Sequence, residues 1–359
     1  MTNDILIIAE AGVNHNGDIN LAKELVVAAA EAGADIVKFQ TFKTENLVTK
    51  TAEKAQYQKD NCGDDECQYE MLKKLELDEA MHFKIIDCCK GNNIDFLSTA
   101  FDGESLIFLN KVIKLGTLKI PSGEITNGPF IHDHAKTGSN IILSTGMAEI
   151  DEIENALAVL AHGYCCPDGQ INSLNDCYNV LKTPAGQSTL KEKVTLLHCT
   201  SSYPAPPESV NLRAINTMRD RFNLPVGYSD HTAGLIAPIL AVAEGATVIE
   251  KHFTLDKQLP GPDHKASLEP HELKQMVTEI RTASQMLGSG IKAPHDIEIS
   301  AKIVARKSII AKQNIKETDV FGNDNLTSKR PGSGLSPMNW WSLLNKKAVK
   351  NYKKGDFID

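Results

Sequence analysis

The sequence lacks any run of about eighteen consecutive apolar residues, so it contains no candidate transmembrane helix of ordinary length. Its start, "MTNDILIIAEAG", has no basic stretch leading into a long apolar segment and does not resemble a secretory signal. We therefore expect a cytoplasmic protein that does not act at a membrane.

An excess of positive charge is also missing. The net charge is −8 over 359 residues, which argues against general binding of nucleic acid. A phosphate-bearing ligand must then be held by a local group of cations. Eight cysteines are present, but no CxxC occurs, and Cys88 and Cys89 are adjacent, as are Cys165 and Cys166. We expect reduced thiols rather than disulfides.

Glycine-rich phosphate loops are absent: neither GxGxxG nor GxxxxGK followed by Ser or Thr occurs. This weighs against a doubly wound open sheet. Short β-branched segments instead alternate with helix-like stretches such as "INLAKELVVAAAEAG", which Gly33 is suited to end. Eight such units in series are typical of an α/β protein with a (β/α)₈ barrel. The eight segments are "ILIIAEAG", "DIVKFQT", "IDFLSTAF", "TLKIPSGE", "NIILSTG", "VTLLHCTSS", "PVGYSDH" and "TVIEKHFT".

The pattern predicts a barrel domain over residues 1–287, a linker over 288–301 and a small β-rich domain over 302–359. Within the barrel, the connection 163–192 is far longer than the usual few residues. Three of the cysteines lie in it, but their spacing matches no zinc pattern. We interpret this insertion as a surface excursion on the face of the barrel opposite the active site.

Polar side chains end each predicted strand, and a barrel builds its active site from strand C-termini and the loops after them. Lys38 and Lys119, with Ser122 and Ser144 beside them, suit a small phosphate or carboxylate ligand, although a lysine at a strand end can also extend to solvent. The polar set is Glu10, Lys38, Gln40, Ser98, Thr99, Lys119, Ser122, Glu124, Ser144, Thr145, His198, Thr200, Ser201, Ser202, Tyr203, Ser229, Asp230, His231, Glu250 and His252.

Two histidines end the seventh and eighth strands, His231 in "GYSDH" and His252 in "EKHFT". Neighbouring strands bring their imidazoles together, with Asp230 and Glu250 nearby to orient them or hold water. Two neutral imidazoles with open positions suit a catalytic Mn²⁺ or Zn²⁺. From the residues alone, metal binding and an ordinary buried role are equally open. For His198, within its strand, the same two alternatives stand.

Several stretches together resemble the bacterial sialic acid synthase family, across nearly the whole chain except the insertion. They are "AEAGVNHNGD", "VKFQTF", "KIPSGE", "LSTGM", "HCTSSYPAP", "GYSDHT", "EKHFT", "PGPDHKASLEP" and "KRPGSG". The resemblance implies a TIM barrel followed by an antifreeze-like (SAF) domain. It also implies a domain-swapped homodimer in which the SAF domain of one subunit covers the barrel mouth of its partner.

The implied reaction condenses phosphoenolpyruvate with an open-chain N-acetylated amino sugar and water. N-acetylmannosamine would give N-acetylneuraminate and phosphate, with a divalent metal, usually Mn²⁺ and alternatively Mg²⁺ or Co²⁺. Family members that make legionaminate from a diacetylated trideoxy sugar, or pseudaminate, use the same chemical parts, and no motif decides between the three. A sugar-binding scaffold and a metal aldolase that releases no phosphate are further alternatives.

Site residues follow from the resemblance by motif. His231 and His252 would bind the metal, and Glu124 is preferred to Glu10 as the carboxylate near the reacting carbons, beside Lys38. Sequence departures include Ser201, where the family often has asparagine. The residues implied to bind phosphoenolpyruvate are Lys38, Thr99, Lys119, Ser122, Ser144 and Ser229. Those implied to face the sugar are Gln40, Tyr203 and Asp263, with Arg330 reaching the N-acetyl group from the partner subunit.

Overall fold

The computed structural model describes residues 5–63 and 66–359. In this part of the chain, eight parallel strands pair in sequence order and close into a barrel, which confirms the predicted fold class. The chain divides into two compact units between Gly288 and Ser289. The barrel strands are β1 (Leu6–Gly12), β2 (Ile36–Thr41), β3 (Asp95–Ala100), β4 (Thr117–Ile120), β5 (Asn140–Ser144), β6 (Val194–Cys199), β7 (Val226–Asp230) and β8 (Val248–His252).

Helices connect successive strands, and local sequence sets their ends. The Asp18 carboxylate accepts a hydrogen bond from the backbone N–H of Asn20 at the start of the first helix, and Gly33 ends that helix with a φ of 84°. The helices are α1 (Ile19–Ala32), α2 (Thr44–Leu47), α3 (Gln56–Cys62), α4 (Gln68–Leu75), α5 (Glu79–Gly91), α6 (Gly103–Ile107), α7 (Gly128–Lys136), α8 (Ile150–Cys165), α9 (Leu174–Leu181), α10 (Pro184–Lys193), α11 (Ala214–Phe222), α12 (Ile236–Ala243) and α13 (Pro270–Leu287). A π-helical turn over Phe108–Ile113 continues α6.

Two connections are long. Residues 42–78, between β2 and α5, contain α2 to α4 and form an apolar cluster with Val13 that includes Phe42, Met71 and Leu75. The 163–192 insertion forms the end of α8, then α9 and most of α10, and fully buried Cys177 joins the core beneath these helices. The insertion therefore packs onto the barrel domain through apolar contacts.

The second unit begins with α14 (Asp296–Ala305), so the predicted linker 288–301 includes the start of a helix. Strands β9 (Ser308–Ala311) and β10 (Leu326–Lys329) pair antiparallel, and α15 (Trp340–Leu343) follows. Ile309, Phe321 and Tyr352 belong to a separate core in this unit. Across the described residues, no helix combines the length and apolar character that crossing a membrane requires.

Candidate active site

The inward face of the barrel changes from apolar to polar along each strand. Alternate residues of a strand face the same side of the sheet. The residue two positions after an apolar residue that faces into the barrel therefore also faces into the barrel. Glu10 follows Ile8 in this way, Ser144 follows Ile142, and Glu250 follows Val248. An apolar layer, comprising Ile8, Leu97, Ile142, Leu197 and Val248, therefore closes the barrel beneath the polar residues.

Two lysines and two carboxylates meet on this polar layer. The Nζ of Lys38 lies 2.5 Å from Oε2 of Glu10 and 3.6 Å from Oε2 of Glu250. The Nζ of Lys119 lies 3.4 Å from Oε1 of Glu250. All four residues are buried. Glu250 is thus shared between both cations, whereas Glu10 contacts Lys38.

Hydroxyl groups complete the coordination of these charges. Lys38 donates a hydrogen bond to Oγ1 of Thr99 at 3.1 Å, and Lys119 donates to Oγ of Ser144 at 2.7 Å. Ser229 donates to Oε1 of Glu250 at 2.8 Å. Ser122, on the turn after β4, accepts from the backbone N–H of Gly146 at 3.0 Å. Cations and hydroxyls on one surface can bind a ligand that carries phosphate and carboxylate groups.

Although both carboxylates are buried, their pKa values shift in opposite directions. Burial raises the pKa of Glu10 to about 7, against the opposing charge of Lys38. Burial also acts to raise the pKa of Glu250, but Lys119 and Lys38 outweigh it and hold that pKa below its ordinary value. Glu10 can therefore take up or release a proton near neutral pH, whereas Glu250 remains an anion.

Local backbone geometry keeps the space beside Glu10 open. Gly12 ends β1 with a φ of 54°, where the register with β2 shifts. A Cβ atom at this position would lie 3.2 Å from Oε1 of Glu10 and 3.5 Å from Cε1 of His252. Glycine adopts this conformation without strain and leaves both side chains free to face the mouth.

The paired histidines suit a metal ion. The ring centroids of His231 and His252 are 5.6 Å apart, and burial lowers both pKa values, so both imidazoles are neutral at pH 7. Nδ1 of His231 donates to the carbonyl of Thr200 at 2.7 Å, which leaves Nε2 as an acceptor. Nδ1 of His252 is buried without a hydrogen-bond partner. Neutral rings with available nitrogens are what a divalent ion requires.

Protein ligands beyond this pair are limited. Within residues 5–63 and 66–359, no group of three or more His, Cys, Asp and Glu side chains has a geometry that could hold a metal. An ion bound by His231 and His252 would therefore take its other ligands from water or from substrate oxygens, which is typical of a catalytic site.

A cavity of about 480 Å³ opens above these groups. Tyr203 borders it, with its ring centroid 4.2 Å from that of His231 and 5.0 Å from that of Tyr57. Gln40 and Asp263 also line it, and burial raises the pKa of Asp263 to about 6. The long β2–α5 connection contributes polar residues such as Gln58 and Gln68 to the lining, and it also contributes most of an apolar wall. This apolar wall consists of Phe42, Leu47, Val48, Met71, Leu72, Leu75 and Phe101.

Most residues singled out in the sequence line this cavity. They are Glu10, Lys38, Gln40, Thr99, Lys119, Ser122, Ser144, Ser201, Tyr203, Ser229, His231, Glu250, His252 and Asp263. Glu124 does not line it: the Glu124 carboxylate accepts a hydrogen bond from Asn127 at 2.7 Å. Arg330 belongs to the second unit, where it is exposed, and its role toward the sugar stays a prediction.

One expectation about a neighbouring residue needs correction. The Asp230 carboxylate contacts neither imidazole, because it faces away from the mouth and pairs with Lys251. The carbonyl of Thr200 accepts the hydrogen bond from His231 instead. Of the two roles left open for His198, the structure favours the structural one, because its Nε2 donates to the carbonyl of Val210 at 2.7 Å and the residue does not line the cavity.

The sequence placed Glu250 at the mouth near the histidines, but it predicted neither the position of Glu250 between the two lysines nor the apolar wall. Strand alternation also puts Glu250 on the inward face, because Val248, Glu250 and His252 share one face of β8. The length between "VKFQTF" and "IDFLSTAF" was the available signal for the wall, since long connections at the C-terminal face of a barrel commonly contribute to the site.

Known proteins resemble this chain in sequence and in fold. A model of the NeuB family matches residues 25–292, and a SAF domain model matches residues 306–359. The N,N'-diacetyllegionaminic acid synthase of Campylobacter jejuni is 50% identical, with 98% of each chain covered. The synthase of the same name from Legionella pneumophila is 47% identical, covering 97% of this chain and 92% of the relative.

Among solved structures, the N-acetylneuraminic acid synthetase of Leptospira borgpetersenii, in complex with citrate, has a TM-score of 0.67 and 34% sequence identity. The match covers 84% of this chain and 90% of that chain. The agreement extends from the barrel fold to sequence identity well above the level at which fold alone is shared.

Proposed function

Because this chain belongs to the NeuB family and carries a SAF domain at its C-terminal end, we propose that it condenses phosphoenolpyruvate with an N-acetylated amino sugar. The buried group of Lys38, Glu10, Glu250 and Lys119 carries this proposal. Phosphoenolpyruvate bears a phosphate and a carboxylate, and two lysines in a low-dielectric pocket bind such an anion more strongly than surface lysines do. Thr99, Ser122, Ser144 and Ser229 would supply oriented hydroxyl groups.

The reaction forms a carbon–carbon bond between the two substrates and a carbon–oxygen bond to water, and it breaks the carbon–oxygen bond to phosphate. The methylene carbon of phosphoenolpyruvate attacks the aldehyde carbon of the open-chain sugar, and positive charge develops on the carbon that bears phosphate. Water adds to that carbon. The bond between this carbon and the phosphate oxygen then breaks, which releases phosphate and leaves the 2-keto acid. The anionic Glu250 suits stabilisation of the transient positive charge, and Lys38 and Lys119 suit the departing phosphate.

Glu10 is the preferred group to accept the proton of the attacking water. Its pKa of about 7 suits a general base at neutral pH, and its carboxylate lies in the cavity beside Lys38. This replaces our preference for Glu124, which lies outside the cavity. A divalent ion bound by His231 and His252, preferably Mn²⁺ and alternatively Mg²⁺ or Co²⁺, would supply Lewis acidity toward the sugar aldehyde.

For the sugar itself, we propose the 2,4-diacetamido-2,4,6-trideoxymannose that leads to N,N'-diacetyllegionaminate, in place of our expectation of N-acetylmannosamine. Identities of 50% and 47% to two legionaminic acid synthases exceed the 34% to the N-acetylneuraminic acid synthetase structure. The apolar wall supports this choice. A sugar with a methyl group in place of a hydroxyl loses no hydrogen bond when it packs against this wall, whereas a hydroxyl there would have no partner.

A turnover comparison tests both levels of the proposal. With phosphoenolpyruvate, the trideoxy sugar should give equal amounts of phosphate and 2-keto acid, with a kcat/KM at least about tenfold above that for N-acetylmannosamine. The reverse preference would restore the neuraminate assignment. Keto acid without phosphate would indicate an aldolase, and binding of the sugar without either product would indicate a scaffold.

We also propose that the protein is a homodimer in which Arg330 from the SAF domain of one subunit approaches the sugar bound in the other. An exposed arginine can bind an acetamido carbonyl through its fixed N–H groups. Covering the mouth would also exclude water and strengthen the charges within it.

A further inference from the structure

A buried ion pair lies directly behind the two histidines. Asp230 and Lys251 are register partners at the end of the β7–β8 ladder, and their side chains face away from the cavity. Nζ of Lys251 lies 2.5 Å from Oδ2 of Asp230, and both side chains are fully buried. His231 and His252 are the next residues along their strands, so this pair is the last side-chain link between the strands before the histidines.

The pair also holds the backbone on the far side of His231. Oδ1 of Asp230 accepts from the backbone N–H of Thr232 at 2.9 Å and from the hydroxyl of Tyr228 at 3.0 Å. Lys251 donates to the carbonyl of Thr232. The residue that follows His231 is therefore held at its N–H by Asp230 and at its carbonyl by Lys251, the residue that precedes His252.

Stability alone does not account for these charges. Removing an ion pair from water has a large desolvation cost, and apolar residues of similar volume often replace a buried pair with no loss of stability. The pair is satisfied by hydrogen bonds at every oxygen of Asp230, so its geometry is specific. An arrangement of this kind restricts the positions that the two strand ends can adopt.

We propose that Asp230 and Lys251 are positioning residues that fix the separation of the His231 and His252 imidazoles for a divalent ion. The proposal rests on the proposed function insofar as that function requires a metal at this pair. Neither residue touches the ion or a substrate. The pair would hold the two imidazoles, before any ion binds, close to the separation that they have in the metal-bound protein. Supporting contacts of this kind typically change metal affinity by about 10- to 100-fold.

The test is Mn²⁺ binding to the full-length Asp230→Asn/Lys251→Met double variant, without substrates. Free Mn²⁺ measured by electron paramagnetic resonance during a titration gives the affinity directly. Asparagine keeps an acceptor for Thr232 and Tyr228 while the ionic link is lost. We expect the Kd for Mn²⁺ to rise at least about tenfold, while kcat at saturating Mn²⁺ and the KM for phosphoenolpyruvate change by less than about threefold.

Lys257 and Glu272 provide a matched control, because their Nζ–Oε2 distance is also 2.5 Å but both side chains are about 30% exposed. Lys257→Met/Glu272→Gln should leave the Kd for Mn²⁺ unchanged. The single Asp230→Asn variant keeps Lys251 and an acceptor for the N–H of Thr232, so it guards against misfolding of the double variant. It should show a smaller rise in the Kd for Mn²⁺.

Each outcome separates the possibilities. If wild-type protein binds Mn²⁺ and both Asp230 variants bind it equally well, positioning is wrong while the proposed function stands. Loss of kcat with unchanged Mn²⁺ affinity would show a general structural role and also overturn positioning. If wild-type protein binds no Mn²⁺ yet turns over, the metal part of the proposed function fails together with this inference.

Discussion

Oε1 of Glu250 lies 3.4 Å from Nζ of Lys119 at the floor of the barrel mouth. Burial lowers the pKa of Lys119, and the charge of Glu250 opposes that effect. Glu250 therefore keeps a cation in place where the proposed phosphoenolpyruvate site requires one. A carboxylate beside an anion site is thus a means of keeping the lysine charged before the ligand arrives.

Glu250→Gln should narrow the pH range of phosphoenolpyruvate binding. Without the carboxylate, the pKa of Lys119 falls further, so the lysine loses its proton at a lower pH. The alkaline limb of kcat/KM for phosphoenolpyruvate should move down by at least about one pH unit. Pre-steady-state or steady-state pH profiles measure this, with Glu272→Gln as the control. An unmoved alkaline limb would contradict the role given to Glu250.

Glu10→Gln and Glu124→Gln should differ sharply. Glu10 lies in the cavity with a pKa of about 7, whereas the Glu124 carboxylate binds Asn127. We expect kcat to fall at least about 100-fold for Glu10→Gln and less than about threefold for Glu124→Gln. Phosphate release at saturating substrates gives both values. The opposite ranking would return Glu124 to the catalytic role that the sequence suggested.

Asp263→Asn should stabilise the ligand-free protein at high pH. Burial raises the folded-state pKa of Asp263 from 3.8 to about 6, so the folded protein binds this proton more tightly than the unfolded chain. The contribution to stability is present below pH 3.8 and is lost as pH rises through 6. Asparagine removes that loss.

Urea unfolding of wild type and Asp263→Asn from pH 4 to pH 8 measures the difference. It should grow in favour of the variant over this range, reaching up to about 3 kcal/mol, while the KM for the sugar rises. A difference in stability that does not change with pH would contradict the raised pKa of Asp263.

Chelation should abolish turnover. EDTA removes the ion that we assign to His231 and His252, so phosphate release from phosphoenolpyruvate and sugar should stop, and added Mn²⁺ should restore it. His252→Ala should not recover with Mn²⁺ at concentrations that restore the wild type. Full activity in metal-free protein would make the proposed chemistry wrong.

Arg330→Ala should weaken binding of the sugar. The resemblance assigns Arg330 to the N-acetyl group, so the KM for the sugar should rise at least about tenfold while that for phosphoenolpyruvate stays within about twofold. Mixing Arg330→Ala with an inactive Lys119→Met variant tests the exchange between subunits. In a mixed dimer, the intact barrel of the Arg330→Ala subunit should receive Arg330 from the Lys119→Met subunit, so that one site regains the wild-type KM for the sugar. If Arg330→Ala instead changes the KM for the sugar and the KM for phosphoenolpyruvate equally, Arg330 has no place in the sugar site.

The position of residues along the strands determined much of this site in advance. Lys38, Lys119, Ser144, His231 and His252 were predicted to share the barrel mouth because each lies at or directly after the C-terminal end of a strand, where a barrel gathers its site. The prediction that Glu124 faces the mouth could not be made in this way. Glu124 lies beyond the end of β4, on a 3₁₀ turn where the period of two no longer applies.

Tertiary structure decided which of these neighbours interact. Distances between strands decide that Glu250 is shared by two lysines and that Asp230 pairs with Lys251 behind the histidines. The apolar wall depends on a long connection, residues 42–78, that folds back and contributes most of it, together with Phe101. The sequence by itself determined the barrel, the residue types at its mouth and the family resemblance, because periodicity and local motifs are properties of the chain. Charge pairing and cavity shape belong to the closed barrel, because they arise only when residues far apart in sequence are brought within a few ångströms.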